Sequence, residues 1–130
     1  MSIIGIGTDV VAVERMLRMH QAHAERLAVR LLAGAEIAEY ERARVSKTGA
    51  AAFLARRFAA KEAAAKALGC GIGARAGFRD LIVEHYPNGA PRLAFSGAAR
   101  DTADRLGVNQ AHISITDEQT HAVAFVVLEN

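Results

Sequence analysis

Ala50-Ala-Ala-Phe-Leu-Ala-Arg-Arg-Phe-Ala-Ala-Lys-Glu-Ala-Ala-Ala-Lys-Ala-Leu68 reads as the central helix of the protein. Its Ala, Leu, Arg, Lys and Glu residues are strong helix formers, and Gly69 stands where a helix stops. Leu54, Phe58, Glu62 and Lys66 are spaced four apart, so they share one stripe of that helix. The stripe turns from apolar to ionic halfway along. A carboxylate and an ammonium in line with a core-facing phenyl ring lose part of their hydration, which is costly without partners. A solvated Glu62–Lys66 pair, worth only about 0.3–0.5 kcal/mol, is nevertheless the simpler explanation of the spacing taken alone. Arg57 and Lys61 make a second four-residue step alongside. That cationic face suits a phosphate-rich ligand, and it suits solvent almost as well.

Downstream, Gly69, Gly71, Gly73 and Gly77 predict a flexible loop whose backbone N–H groups can approach an anion. It is not a Walker loop, because Gly73 is followed by Ala74 and Arg75 in place of Lys and Ser or Thr. Residues 81–86 and 92–95 flank Pro87-Asn-Gly89 as a hairpin, and Ser96 is placed to cap a helix running to Leu106 with Gly107 as its stop. His112-Ile-Ser-Ile-Thr116 alternates, residues 117–120 turn, and residues 121–128 form an apolar strand. Upstream, Ser46-Lys-Thr-Gly49 is expected as a loop. Leu27, Leu31, Leu32, Ile37 and Tyr40 keep helical spacing with a break near Gly34. Val10, Val13, Met16 and Leu17 predict a helix capped by Asp9, after a short strand over Ile3, Ile4 and Ile6 that Gly5 and Gly7 break. Together these elements make an α+β fold.

One domain over residues 1–130 is expected, since 52% hydrophobic residues suffice for one core and no repeat or linker divides the chain. A net charge of +2 is too mild to mark nucleic acid as the partner. The apolar runs fall far short of the roughly 18 residues that span a bilayer. Asp9 and Glu14 also arrive too early for a signal peptide, so no membrane association and a cytoplasmic location are expected. Cys70, the single cysteine, excludes an internal disulfide or a multi-cysteine metal site and is expected to be a small packing residue. His20, His23, His85 and His121 lack companions at metal-ligand spacing and are expected on surfaces or strands. Phe53, Phe58 and Phe125 are expected in the core.

Asp9 ends a buried-looking strand and begins a helix. Capping is the ordinary role there. A magnesium ion takes one or two carboxylates and completes its octahedron with water and phosphate oxygens, a pair that Asp9 and Glu62 can supply. The two roles are compatible.

Gly5-Ile-Gly-Thr-Asp9 with Arg15 six residues on, Arg57-Phe-Ala-Ala-Lys-Glu-Ala-Ala-Ala-Lys-Ala67, and His112-Ile-Ser-Ile-Thr116 resemble, in that order, the signatures of the holo-[acyl-carrier-protein] synthase family. This is the small-subunit branch of the 4'-phosphopantetheinyl transferase superfamily, and the resemblance runs from residue 3 to residue 128. It implies a small antiparallel sheet packed against a long central helix. It also implies an enzyme that moves the 4'-phosphopantetheine of coenzyme A onto a serine of apo-acyl carrier protein, in support of fatty acid biosynthesis, and releases adenosine 3',5'-bisphosphate.

The same resemblance implies that Asp9 and Glu62 hold Mg2+ together with the diphosphate of coenzyme A, and that Lys66 neutralises that diphosphate. The serine proton goes to Glu62 or to a metal-held water. Arg57 and His112 match positions that contact the nucleotide end of coenzyme A, the loop of Gly69, Gly71 and Gly73 borders it, and Lys47 is a looser match. Docking of the acidic helix of the carrier falls to Arg15, Arg18, Met19, Arg26, Leu27 and Arg30; without the resemblance these are basic residues on a solvated face. Many relatives carry His where this chain has Asp117, so position 117 has no implied role. Family members of this size are homotrimers with shared active sites, which would bring Asp9 and Glu62 to His112 of a neighbouring subunit. A non-catalytic module for an acidic helix has no need of Asp9, Glu62 and Lys66, and a nucleotide hydrolase is disfavoured by the missing Walker loop and the 5% aromatic content.

Overall fold

Strand β1 runs from Ile3 to Ala12 in a computed structural model that describes residues 1–130. It outlasts the short strand expected, because Thr8, Val10 and Val11 are β-branched and pair antiparallel with Phe125, Val123 and Ala122 of β5, His121–Glu129. Asp9 therefore lies within a strand, and the capping role is corrected. Helix α1, Val13–Leu31, follows Ala12 with no side-chain capping bond and kinks at His23, where φ is −146° and ψ is 48°. Strand β4, Gln110–Asp117, pairs with the other edge of β5, giving the antiparallel order β1-β5-β4. A separate hairpin joins β2, Leu81–His85, to β3, Pro91–Phe95, across a turn in which Gly89 adopts φ +88°.

The central helix α3 spans Lys47–Ala67. Its start corrects the loop expected at 46–49, since the Ser46 hydroxyl accepts a 3.0 Å bond from the Gly49 N–H and caps the first turn. Between residues 50 and 65 the helix is buried or half-buried all round, as one covered on every side should be. Strands β1 and β5 lie against one flank, while α1 and the short α2, Ile37–Ala43, lie against others. Ala59, Ala63, Ala122 and Ala124 are fully buried, and Gly5 and Gly7 of β1 lie against the backbone of α3, so helix and sheet approach closely. Helix α4, Gly97–Leu106, ends at Gly107 as expected, although Ser96 makes no side-chain cap and its hydroxyl points instead to the Asp80 carbonyl at 3.5 Å. The result is the expected α+β architecture of a small antiparallel sheet on a long helix.

Candidate active site

Alternation along β1 turns Asp9 toward α3, on the side shared with Gly7 and the buried Val11. There the Lys66 ammonium donates to the Thr8 carbonyl at 3.0 Å and to Asp9 Oδ1 at 3.3 Å. Glu62, one turn earlier and partly buried, has its carboxyl pushed above the usual range, chiefly by burial and then by the Asp9 charge. Lys66 and Arg15 oppose that shift. The fold thus gathers Asp9, Glu62 and Lys66, with Arg15 close by. Along the stripe Leu54 is fully buried, Phe58 and Glu62 are half-buried and Lys66 is exposed, so the change from apolar to ionic is a change from core to surface. Arg15 rests its guanidinium on the Phe58 ring, 5.2 Å from its centroid, and Phe58 in turn packs on Phe78 at 5.4 Å.

The second cationic step has a different environment from the one its spacing suggested. Lys61 is fully buried, donating to Glu36 Oε1 and to the Phe78 carbonyl at 2.9 Å. Arg57 is also buried; its Nη1 donates to Glu36 Oε2 and the Val83 carbonyl, both at 3.2 Å, and its Nη2 to Glu39 at 3.0 Å. Neither forms a solvated phosphate face. Arg57 nonetheless borders a cleft of about 210 Å³ together with Glu39, Arg56, His85 and Pro91. Glu36, the buried acid that holds both cations, escaped the sequence reading. Its signal was a lone carboxylate between Leu31-Leu32-Ala33 and Ile37.

Other expected residues lie apart from Asp9. His112 sits on β4, separated from β1 by the whole of β5, and its Nε2 lies 2.5 Å from Glu129 Oε1. It lines a cavity of about 600 Å³ with Arg92, Phe95, Arg100 and Val108. Lys47 is in the first turn of α3, at the end opposite Lys66 and roughly 30 Å from it at 1.5 Å per residue. Gly69 and Gly71, with φ of +78° and +66°, turn the chain just beyond Lys66, and a side chain at either would meet open space.

On α1, Arg15, Arg18, Arg26 and Arg30 are exposed and Met19 partly so. Leu27 belongs to the core and is corrected as a docking residue. Phe125 is corrected in the opposite sense: it is 45% exposed on the outer sheet face, beside Ile6 at 60% and Val10 at 61%. His20 is half-buried against Tyr40, its Nε2 2.8 Å from the phenol oxygen. Cys70 packs at the edge of the core.

The donor set at Asp9 and Glu62 fits a hard divalent cation. The Asp9 charge adds to burial in raising the Glu62 carboxyl, which makes the two acids near neighbours, and magnesium commonly takes one or two carboxylates together with substrate phosphate oxygens. No cluster of three or more His, Cys, Asp or Glu side chains offers a closed metal cage.

The model of the 4'-phosphopantetheinyl transferase superfamily matches residues 5–126. The holo-[acyl-carrier-protein] synthase of Alkalilimnicola ehrlichii is 54% identical over 98% of both chains. The crystal structure of the holo-[acyl-carrier-protein] synthase from Neisseria meningitidis superposes with a TM-score of 0.90 at 35% identity, covering 99% of this chain and 100% of that one. The enzyme from Bacillus anthracis, solved in complex with CoA (3',5'-ADP), superposes at 0.77 with 32% identity, over 97% of this chain and 96% of that one. The chain belongs to the 4'-phosphopantetheinyl transferase superfamily, in its holo-[acyl-carrier-protein] synthase branch.

Proposed function

We propose that the protein transfers 4'-phosphopantetheine from coenzyme A to a serine of apo-acyl carrier protein, in support of fatty acid biosynthesis. The observation that carries this is the meeting of Asp9, Glu62 and Lys66 at one edge of the sheet–helix contact. The serine oxygen forms a bond to the β-phosphorus of coenzyme A and gives its proton to Glu62 or to a water, the phosphoanhydride bond breaks, and adenosine 3',5'-bisphosphate leaves with the electron pair of that bond. Mg2+ bound by Asp9 and Glu62 would offset negative charge on the transferring phosphoryl group. Lys66 adds a cation held in place by the Thr8 carbonyl and Asp9, so its orientation is fixed before substrate arrives. The cleft beside Arg57, Arg56 and His85 suits the phosphate-bearing nucleotide end, as does His112, with the Gly69 to Gly73 loop bordering it; Lys47, at the far end of α3, can join them only from a neighbouring subunit. Incubation with coenzyme A, Mg2+ and apo-acyl carrier protein should add one phosphopantetheine to the carrier by mass spectrometry. No addition under any condition sinks the reading.

The exposed basic residues of α1 dock the acidic helix of the carrier. Arg15 is the key contact, since its perch on Phe58 sets it between the α1 surface and Glu62. Arg15→Ala should raise KM for the carrier about tenfold, the effect of removing a desolvated charge contact worth ~1.4 kcal/mol, and change KM for coenzyme A far less. Equal changes in both count against docking.

The reading extends to a homotrimer with shared active sites, and the exposed apolar face where Ile6, Val10 and Phe125 lie adjacent across β1 and β5 supplies a surface for other copies to cover. Such an assembly lets His112 of one subunit complete the site of another. Phe125→Asp should lower the mass measured by light scattering to that of one chain, and an unchanged mass removes this face as the interface. The chain acts as one domain over residues 1–130. No helix is long and apolar enough to cross a membrane, and a cytoplasmic site of action accords with a coenzyme A-dependent reaction.

A further inference from the structure

The geometry points to Gly7 as a positioning residue that sets the reach of Asp9 toward Glu62, and hence the affinity of the pair for a divalent cation. This rests on the carboxylate-pair reading of the site. Gly7 is buried where β1 crosses α3. A Cβ there would run into the Ala63 carbonyl oxygen and would stand 2.8 Å from the Ala67 nitrogen and 2.9 Å from the Ala63 carbonyl carbon. All are backbone atoms of a helix, so no rotamer change relieves the clash. Gly7 has no positive φ, so space and not conformation demands glycine here.

The consequence falls on the site, since Asp9 is the next residue of β1 on the same face and Glu62 and Lys66 immediately precede Ala63 and Ala67 on α3. Seating a methyl group at its usual contact distance of about 3.5–4 Å would part strand and helix by on the order of 1 Å. Sites of this kind tolerate only about 0.5 Å. The main-chain anchor of Lys66 on the Thr8 carbonyl lengthens by the same movement. Gly5 supplies the control. A Cβ at Gly5 meets the Ala67 carbonyl oxygen, but Ala67 is the last residue of α3 and Gly5 lies four residues from Asp9, beside a register shift in β1 that can absorb the strain.

The test is Mn2+ binding in the presence of coenzyme A and without carrier, read from the electron paramagnetic resonance signal of free Mn2+, so that no turnover enters the result. Gly7→Ala is expected to weaken Mn2+ binding at least tenfold, and Gly5→Ala less than threefold, at comparable losses of melting temperature. Asp9→Glu added to Gly7→Ala should recover part of the binding, because a longer carboxylate spans a wider gap, whereas Asp9→Glu alone should weaken it. Should Gly7→Ala not fold, Ala63→Ser, which adds one oxygen at the fully buried helix residue whose carbonyl abuts Gly7, carries the same expectation. Equal Mn2+ binding by Gly7→Ala and wild type, or equal weakening by both glycine variants, overturns the positioning role alone. Absence of Mn2+ binding by the wild type overturns the carboxylate-pair reading as well.

Discussion

Glu62→Gln should lower kcat on the order of 10³-fold, equivalent to ~4 kcal/mol of transition-state stabilisation, while the protein stays folded. The amide keeps the volume and one acceptor oxygen but removes the charge that, in the proposed site, would join Asp9 in holding a cation. Stability should move the other way. Burial and the Asp9 charge hold the Glu62 carboxyl above its ordinary value of 4.5, so in that window the folded state keeps a proton the unfolded chain has released. Stability therefore falls as pH rises through the window, and the penalty persists at neutral pH. Gln carries no such penalty, so in metal-free buffer at pH 7 the variant should melt at or above the wild-type temperature. Turnover equal to wild type would show that Glu62 holds no catalytic metal. A melting temperature several degrees lower would make its role structural.

Two groups of residues show how far the sequence reaches into the candidate site and its support. Asp9, Glu62 and Lys66 interrupt apolar patterns, but that local mark alone fits a helix cap and a solvated ion pair, and only the ordered resemblance joins the three. Arg57 and Lys61 leave a similar mark, yet their surroundings depend on Glu36, which lies in a 3-10 turn at residues 34–36 remote in sequence, and on the Val83 and Phe78 carbonyls. Spacing on one helix says which residues share a face, not what covers that face. The same gap misread Phe125, whose strand pattern marks an alternating face without saying whether another surface lies against it. For β1, helical spacing of Val10, Val13 and Met16 competed with β-branched content up to Val11, and pairing with β5 decided in favour of the strand. Hairpin, α4 and the last two strands were legible because turn residues such as Gly89 and Gly107 act locally.

The buried network yields the second large effect, on stability. Glu36 is fully buried and accepts from Ala33 N–H at 2.9 Å, Val83 N–H at 3.3 Å, Arg57 Nη1 and Lys61 Nζ, so it joins the chain after α1, strand β2 and the middle of α3. Glu36→Ala removes the acceptor of two buried cations and two N–H groups at once. Arg57 keeps Glu39, but Lys61 is left with one carbonyl. Breaking a buried pair in this way costs about 3–5 kcal/mol, a large share of the roughly 5–15 kcal/mol that stabilises a domain. Lys61→Met should cost less, because Glu36 keeps three donors and the methionine fills the space. If the charges are coupled as the distances indicate, adding Lys61→Met to Glu36→Ala should restore part of the loss, since no unpaired ammonium remains; denaturant midpoints of the four proteins measure this directly. Burial lowers the Lys61 pKa and Glu36 opposes that shift, so the Glu36→Ala protein should gain stability more steeply than wild type as pH rises toward 10.5, where the unfolded chain still holds the proton that buried Lys61 gives up. A loss under about 1 kcal/mol, with no difference in that slope, would mean the network only fills space, and the geometry of Arg57 beside its cleft would owe nothing to Glu36.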